Sequence, residues 1–120
     1  EYAQRPYDRD ILVGVLVPKE NARFVYQSVR NSQTDFPVLT CAAAKLADGS
    51  IRAAIGARPG KAVLYTAAPE AGETAEEFAA RFAAEVKAGI KTESNLRGSA
   101  EYRRHLAGVL TKRAVCRLEG

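Results

Sequence analysis

The sequence predicts an α+β fold in which an antiparallel sheet of three to four strands is covered on one face by helices. Two short runs, residues 36–46 and 50–57, flank an Asp48-Gly49 pair, which is typical of a β-hairpin. The last third of the chain shows apolar residues at steps of three and four, the period of amphipathic helices. With 120 residues, of which 47% are hydrophobic and 27% charged, the chain is large enough for one globular domain.

The N-terminal part divides into a polar and an apolar segment. Residues 1–10 are polar and without periodicity, so we expect a linker from a missing upstream domain. Residues 11–17 form an apolar run that Pro18 stops, as in a buried strand, and the domain is expected to span residues 11–118. Because the chain begins with Glu1 and contains no methionine, we expect it to be a piece of a longer protein.

The central part predicts the remaining strands. Residues 23–30 alternate only loosely, which leaves a strand and a helical turn both open. Alanine is depleted in strands, so a helix over residues 40–47 is the alternative to the hairpin. The Asp-Gly pair favours the hairpin, because two-residue turns need positive φ values. Residues 62–66 predict a further strand.

The first helix is predicted by its capping signals. Thr74 and Glu77 form a capping box, so the helix is expected to begin there. Phe78, Phe82 and Val86 then repeat every four residues and predict one buried face. Gly89 is expected to end the helix in a left-handed conformation.

The final helix is predicted to begin near Ser99, whose side chain can cap it, and Glu101 adds favourable charge at the same end. Its expected apolar face consists of Tyr102, Leu106, Val109, Leu110 and Cys116. By helical angle Arg113 lies within that face. Its charge must therefore reach solvent along the helix surface, pair with a carboxylate or contact a partner surface. Of these, we expect the carboxylate pair first and the partner contact second.

Composition excludes several classes of protein. Cys41 and Cys116 are too few for a disulfide scaffold and lack metal-ligand spacing, so we expect buried thiols and a cytoplasmic location. The net charge is +4, but the 18 basic residues are interleaved with 14 acidic ones and no aromatic platform accompanies them, which argues against nucleic-acid binding. No apolar run reaches the roughly 20 residues that a membrane span requires.

No autonomous active site is predicted. His105, the only histidine, stands beside no nucleophile and no other metal ligand at a useful spacing. Residues 56–62 resemble a phosphate-binding loop only superficially, since three residues separate the glycines and no hydroxyl follows Lys61. We therefore assign no catalytic and no metal-ligating residue.

The most specific motif is the string of residues 98–104, Gly-Ser-Ala-Glu-Tyr-Arg-Arg, followed by Leu106, Leu110 and residues 112–115. This order resembles the C-terminal end of the flavin subunit of molybdenum hydroxylases, the carbon monoxide dehydrogenase and xanthine dehydrogenase family. Residues 11–18, 35–38 and 56–57 are similar to the first strand of the same domain, its central hairpin and the glycine that ends the hairpin. The resemblance therefore spans nearly the whole chain.

The resemblance implies a C-terminal domain of an FAD-dependent oxidoreductase subunit. In that family electrons pass from a molybdenum centre through iron–sulfur clusters to FAD, which upstream modules mostly bind. The implied partners are the upstream FAD-binding domain of the same parent chain and the molybdenum and iron–sulfur subunits or domains. This domain would flank FAD and support subunit packing, and it would not be catalytic alone.

The resemblance also implies cofactor-binding residues. The family segment that matches residues 23–30 borders the flavin ring, so Gln27 and Arg30 are the expected contacts. The alternative for this segment is a solvated strand edge. Gln27 stands where many relatives carry a lysine. A neutral amide can donate a hydrogen bond to the ring but supplies no positive charge. The alternative function is a non-enzymatic interaction module that keeps the fold without the flavin contact.

Overall fold

Four strands followed by two helices make up the fold. The computed structural model describes residues 11, 13–17, 19 and 22–120. The elements are β1 (Arg23–Arg30), β2 (Pro37–Lys45), β3 (Ile51–Gly56), β4 (Val63–Ala67), α1 (Ala75–Gly89) and α2 (Ala100–Glu119). Residues 23–30, whose pattern left two structures open, are therefore a strand.

The sheet is an antiparallel meander with strand order β1-β2-β3-β4. Because side chains alternate along a strand, Leu39, Cys41 and Ala43 of β2 point toward the helices, whereas Ala42 and Ala44 point away from them. Helix-facing residues of β2 and β3 form the core together with one side of each helix. The predicted α+β fold with helices on one face is confirmed.

The Asp48-Gly49 hairpin is confirmed, with a longer loop than predicted. Leu46 N donates to Ser50 O at 2.9 Å and Gly49 N donates to Leu46 O at 3.0 Å, so three residues form the loop. Only Gly49 of the loop has a positive φ, at 83°. This is a turn closed by one left-handed glycine, which needs no positive φ at Asp48. The helical alternative over residues 40–47 is wrong.

The predicted buried strand over residues 11–17 is wrong for the residues that the structure describes there. Residues 11 and 13–17 have no strand structure. Ile11 is 87% and Leu16 99% exposed, because these apolar side chains lie against no described part of the molecule. Residues 1–10, where the linker is expected, and residues 12 and 18 lie outside the described part of the chain.

Helix α1 begins as predicted and ends differently. Thr74 Oγ1 accepts from Glu77 N at 3.3 Å, and Glu77 Oε2 accepts from Thr74 N at 2.9 Å. The predicted left-handed stop at Gly89 is wrong, since the chain leaves the helix through Ile90 in an extended conformation. Ile90 is buried in the core, and a Cβ at Gly89 would lie 3.4 Å from Tyr65 Cε1. Core packing, rather than a glycine cap, ends this helix.

Helix α2 is capped by Ser99 as predicted, but its buried face is rotated. Ser99 Oγ accepts from Tyr102 N at 3.1 Å. Leu106 and Leu110 are buried as expected, whereas Tyr102 and Cys116 are exposed. The buried face of α2 comprises Arg103, Leu106, Ala107, Gly108, Leu110, Thr111, Ala114, Val115 and Leu118. The small residues on this face carry little hydrophobic signal, although they pack against β2 and α1.

Two further expectations about α2 are corrected. Arg113 is exposed rather than within the buried face, and it forms no salt bridge with any described residue. Both cysteines are free thiols, but only Cys41 is buried, because Cys116 lies on the rotated outer face of the helix.

Among the described helices, none combines the length and hydropathy needed to cross a bilayer.

Candidate functional site

No described residue covers the sheet face opposite the helices. Its lining is mostly apolar, with Arg52 as the charged member, and we call this face the trough. The strand register places one residue of each strand in a row across this face. The row consists of Tyr26, Ala42, Ala54 and Leu64. Tyr26 and Leu64 are 61% and 60% exposed, and Phe24 beside Tyr26 is 70% exposed. The alanines form the floor between these taller side chains, which leaves a concavity of about 450 Å³. The alanine content of β2 and β3, unusual for strands, is therefore what shapes the trough.

Gln27 lies on β1, directly opposite Cys41 of β2 and on the helix-facing side of the sheet. Its Nε2 atom is buried and has no hydrogen-bond partner among the described residues. Thr111 Oγ1 of α2 is also buried, and no described residue forms a hydrogen bond with it. An unpaired buried donor is costly, so Gln27 has an unused capacity to bind an acceptor.

Cys41 lies in this polar part of the core. Burial raises the pKa of its thiol to about 11, and the nearby Thr111 hydroxyl acts in the opposite direction. The thiolate is therefore scarce at neutral pH, and Cys41 is a packing residue rather than a nucleophile.

Arg30 lies at the end of β1, after an irregularity in the register with β2. Its Nη1 atom donates to Asp35 O at 2.5 Å, which folds the side chain onto the β1–β2 turn. Asp35 Oδ1 accepts from Arg97 Nε at 3.0 Å and from Phe36 N at 2.7 Å. These bonds hold the pKa of Asp35 below its usual value. The turn is thereby tied to the loop before α2, with the Arg97 guanidinium 5.1 Å from the centre of the Phe36 ring.

The two predicted flavin contacts thus have different surroundings. Gln27 faces the helix layer, whereas Arg30 is exposed and held at the β1–β2 turn. Both lie on β1, an edge strand of the described sheet. His105 is exposed on α2, and the described residues contain no group of three side chains arranged to hold a metal ion.

Arg103 is a residue whose role the sequence reasoning missed. It is fully buried and donates to three backbone oxygens, Val38 O at 2.9 Å, Glu93 O at 2.6 Å and Gly98 O at 2.6 Å. It also donates to Asn95 Oδ1. No carboxylate pairs with it among the described residues, and burial lowers its pKa.

The available signal for Arg103 was its spacing. Successive steps of four, three and four residues lead from Arg103 to Ala107, then to Leu110 and then to Ala114, which is the buried stripe of α2. Gly98 of the same motif makes room for this packing, because a Cβ there would lie 3.0 Å from Val38 Cγ1. The motif of residues 98–104 therefore builds a helix cap and a buried anchor between the helix, the preceding loop and β2.

Residues 24–118 match the model of a family described as the CO dehydrogenase flavoprotein C-terminal domain. Quinoline 2-oxidoreductase from Pseudomonas putida 86 is similar in structure, with a TM-score of 0.69 and 20% sequence identity over 86% of this chain and 39% of that chain. Carbon monoxide dehydrogenase from Hydrogenophaga pseudoflava, in a form that lacks the Mo-pyranopterin moiety, has a TM-score of 0.65 and 23% identity over 87% and 39%.

A Cu,Mo-CO dehydrogenase in its cyanide-inactivated form has a TM-score of 0.65 and 20% identity over 86% of this chain and 38% of that chain. At sequence identities of 20–23%, these structural similarities show only that the fold is shared. The chain spans about two fifths of the length of the solved chains it matches. No curated protein sequence matches it.

Proposed function

The chain belongs to the CO dehydrogenase flavoprotein C-terminal domain family, and from this membership we propose that it packs against the FAD-carrying part of a molybdenum hydroxylase flavoprotein subunit. In this proposal the domain flanks the flavin and supports subunit packing. The upstream FAD-binding domain of the parent chain is the first partner, and the molybdenum and iron–sulfur subunits or domains are the others.

The observation that carries the proposal is the trough. A cluster of exposed aromatic and aliphatic side chains on one face of a protein is a candidate contact surface. Two aromatic side chains and Leu64 stand more than half exposed around an alanine floor, on the face that the helices leave bare. A partner that covers the trough would remove this apolar area from water, at a gain of roughly 25 cal/mol per Å².

We further propose Gln27 and Arg30 as flavin contacts on β1, which is an edge strand among the described residues. Gln27 Nε2 is a donor without an acceptor among the described residues, but it faces the helix layer, so a flavin contact requires the side chain to turn toward the edge of β1. FAD, when bound in the parent protein, supplies the electron-transfer chemistry. The neutral amide cannot favour the anionic reduced ring as a lysine does, a difference on the order of 1–2 kcal/mol, or tens of millivolts.

The N-terminal residues fit the same proposal. The domain is taken to occupy residues 11–118 and to follow a linker over residues 1–10, and the exposed apolar residues 13–17 would then be covered by the upstream domain. The free thiols of Cys41 and Cys116 support a reducing, cytoplasmic location.

The proposal is tested by flavin retention in the parent protein. Leu64→Asp places a charge in the trough and is expected to lower the ratio of flavin to protein absorbance after gel filtration. Leu96→Asp is the matched control, because Leu96 is fully exposed on the loop before α2, away from the trough. Equal flavin content in Leu64→Asp and the unsubstituted protein, or an equal loss in Leu96→Asp, would contradict the proposal.

The second candidate is an interaction module without flavin contact. The observation that favours it is the direction of Gln27, whose amide faces the helix layer instead of solvent. A folded parent protein that stays colourless after incubation with FAD would support this candidate and exclude the first.

A further inference from the structure

A groove runs between α1 and α2 on the solvent side of the helices, away from the trough. Small residues bring the helices close, since a Cβ at Gly108 would lie 3.5 Å from Ala83 O and 3.4 Å from Lys87 Cβ. Ala80 and Ala84 are exposed and form the floor with Gly108. The concavity measures about 260 Å³. Such a floor allows another backbone to approach closely.

The rim of the groove is basic. Lys87, His105 and Lys112 line it, and a second concavity of about 520 Å³ continues from Lys87 and His105 toward the start of α2, where Arg104 joins them. The acidic residue in the combined lining is Glu101. Lys87, Arg104 and Lys112 form no salt bridge with any described residue, so these three basic side chains can pair with carboxylates of a partner.

We propose that this groove docks an acidic helix of a partner polypeptide. Lys87 near the end of α1 lies close to the start of α2, so the two helices run in opposite directions. A third helix can lie in the groove between them with its small side chains on the alanine floor. From Ser99 to Lys112 the groove follows α2 for roughly 20 Å, which matches about 13 residues of a bound helix. Lysine and arginine side chains on the rim can reach carboxylates on its flanks.

The chemistry of the groove favours protein over nucleic acid. Its floor is narrow and apolar, and Tyr102 is the one aromatic side chain in the lining, so it offers no series of rings on which bases could stack. Opposite charge on the partner would raise the association rate and select the partner, whereas the apolar floor would fix its position.

The test uses an alanine-based helical peptide of about 16 residues whose glutamates are separated by at least five residues, because like charges three or four residues apart destabilise a helix, and a matched peptide with glutamine at those positions. Titration into the isotope-labelled chain is followed by amide chemical shifts. We expect the glutamate peptide to shift Ala80, Ala84 and Gly108 and to bind at least about tenfold more tightly than the glutamine peptide. Lys112→Glu should weaken binding by a similar factor, and Arg52→Glu, on the trough side, should not.

One further variant separates docking from general charge attraction. Ala84→Arg adds a cation but blocks the floor, so it should weaken binding if the helix lies in the groove and strengthen it if charge alone acts. Shifts outside the groove, equal affinity for both peptides, or tighter binding by Ala84→Arg would overturn the proposal. Displacement of the peptide by a short RNA of equal concentration would overturn it in favour of nucleic-acid binding.

Discussion

Arg103 shows how one residue can join three parts of this fold. A buried guanidinium without a carboxylate is costly unless its donors are used. Here its donors bind carbonyl groups of β2 and of the loop before α2. The Arg103 side chain therefore supplies hydrogen bonds to these carbonyl groups.

Replacing Arg103 by methionine keeps much of its volume and removes its donors. We expect the free energy of unfolding to fall by about 3–5 kcal/mol, because buried carbonyl groups lose their partners. Urea denaturation measures the change. Arg104→Met is the control, since Arg104 is exposed and forms no hydrogen bond with a described residue, and it should lie within about 0.5 kcal/mol of the unsubstituted chain.

For Gln27 we predict that a substitution by methionine stabilises the isolated chain, in contrast to the substitution at Arg103. In the isolated chain Gln27→Met should raise the free energy of unfolding by about 1 kcal/mol, because it removes an unpaired buried donor at similar volume. In the flavin-loaded parent it should reduce flavin retention. Gln33→Met, at an exposed turn position, is the control for both measurements. A less stable Gln27→Met chain would mean that the amide has a partner, such as an ordered water.

At the scale of elements, the start of α1 is held by charge. Arg81 donates from Nε to Glu73 Oε1 at 2.8 Å and from Nη2 to Oε2 at 2.9 Å. Arg81 also donates to Glu85 one turn further on. The helix is thus fixed to the residues that precede its capping box.

This pairing predicts an acid-sensitive contribution to stability. The hydrogen bonds from Arg81 lower the pKa of Glu73 from 4.5 to about 2, with a further contribution from the Glu70 backbone. A carboxyl group with a lowered folded-state pKa stabilises the fold above its unfolded value and loses that effect as the pH falls toward its folded value. The melting temperature of Glu73→Gln should therefore fall less than that of the unsubstituted chain between these two pH values. Parallel curves would contradict the assignment.

Some helix starts and turns can be predicted from a few neighbouring residues. Thr74 with Glu77, Ser99, and the Asp48-Gly49 pair each act on neighbouring backbone groups, so their effect is visible in a few residues. The sequence pattern predicts that Gly89 ends α1. In the structure the helix ends because Ile90 enters the core, and the core contacts of Ile90 involve residues distant in sequence.

At the scale of the molecule, the described body begins at β1. Residues 11 and 13–17 are exposed and outside the sheet, and the family match starts at residue 24. The helices cover one face of the sheet, so the trough and the groove lie on opposite sides and can serve two different partners.

Removal of residues 1–21 should therefore leave the melting temperature of the isolated chain nearly unchanged, as measured by circular dichroism. Removal of residues 115–120 is the contrasting variant and should abolish cooperative unfolding, because Val115 and Leu118 belong to the core. A large loss of stability on N-terminal truncation would mean that the segment contributes to the fold of this domain.

The sequence by itself determined the fold class, the hairpin, both helix starts and the family, because caps, turns and motifs depend on short-range chemistry. Only the tertiary structure decided which face of α2 is buried, where Gln27 and Arg30 lie, and that the apolar residues 13–17 stay outside the sheet. Hydrophobic periodicity cannot decide these points. A helix that packs on both a sheet and another helix buries small and charged residues as well as large apolar ones, and an apolar strand pattern does not identify the sheet that will accept it.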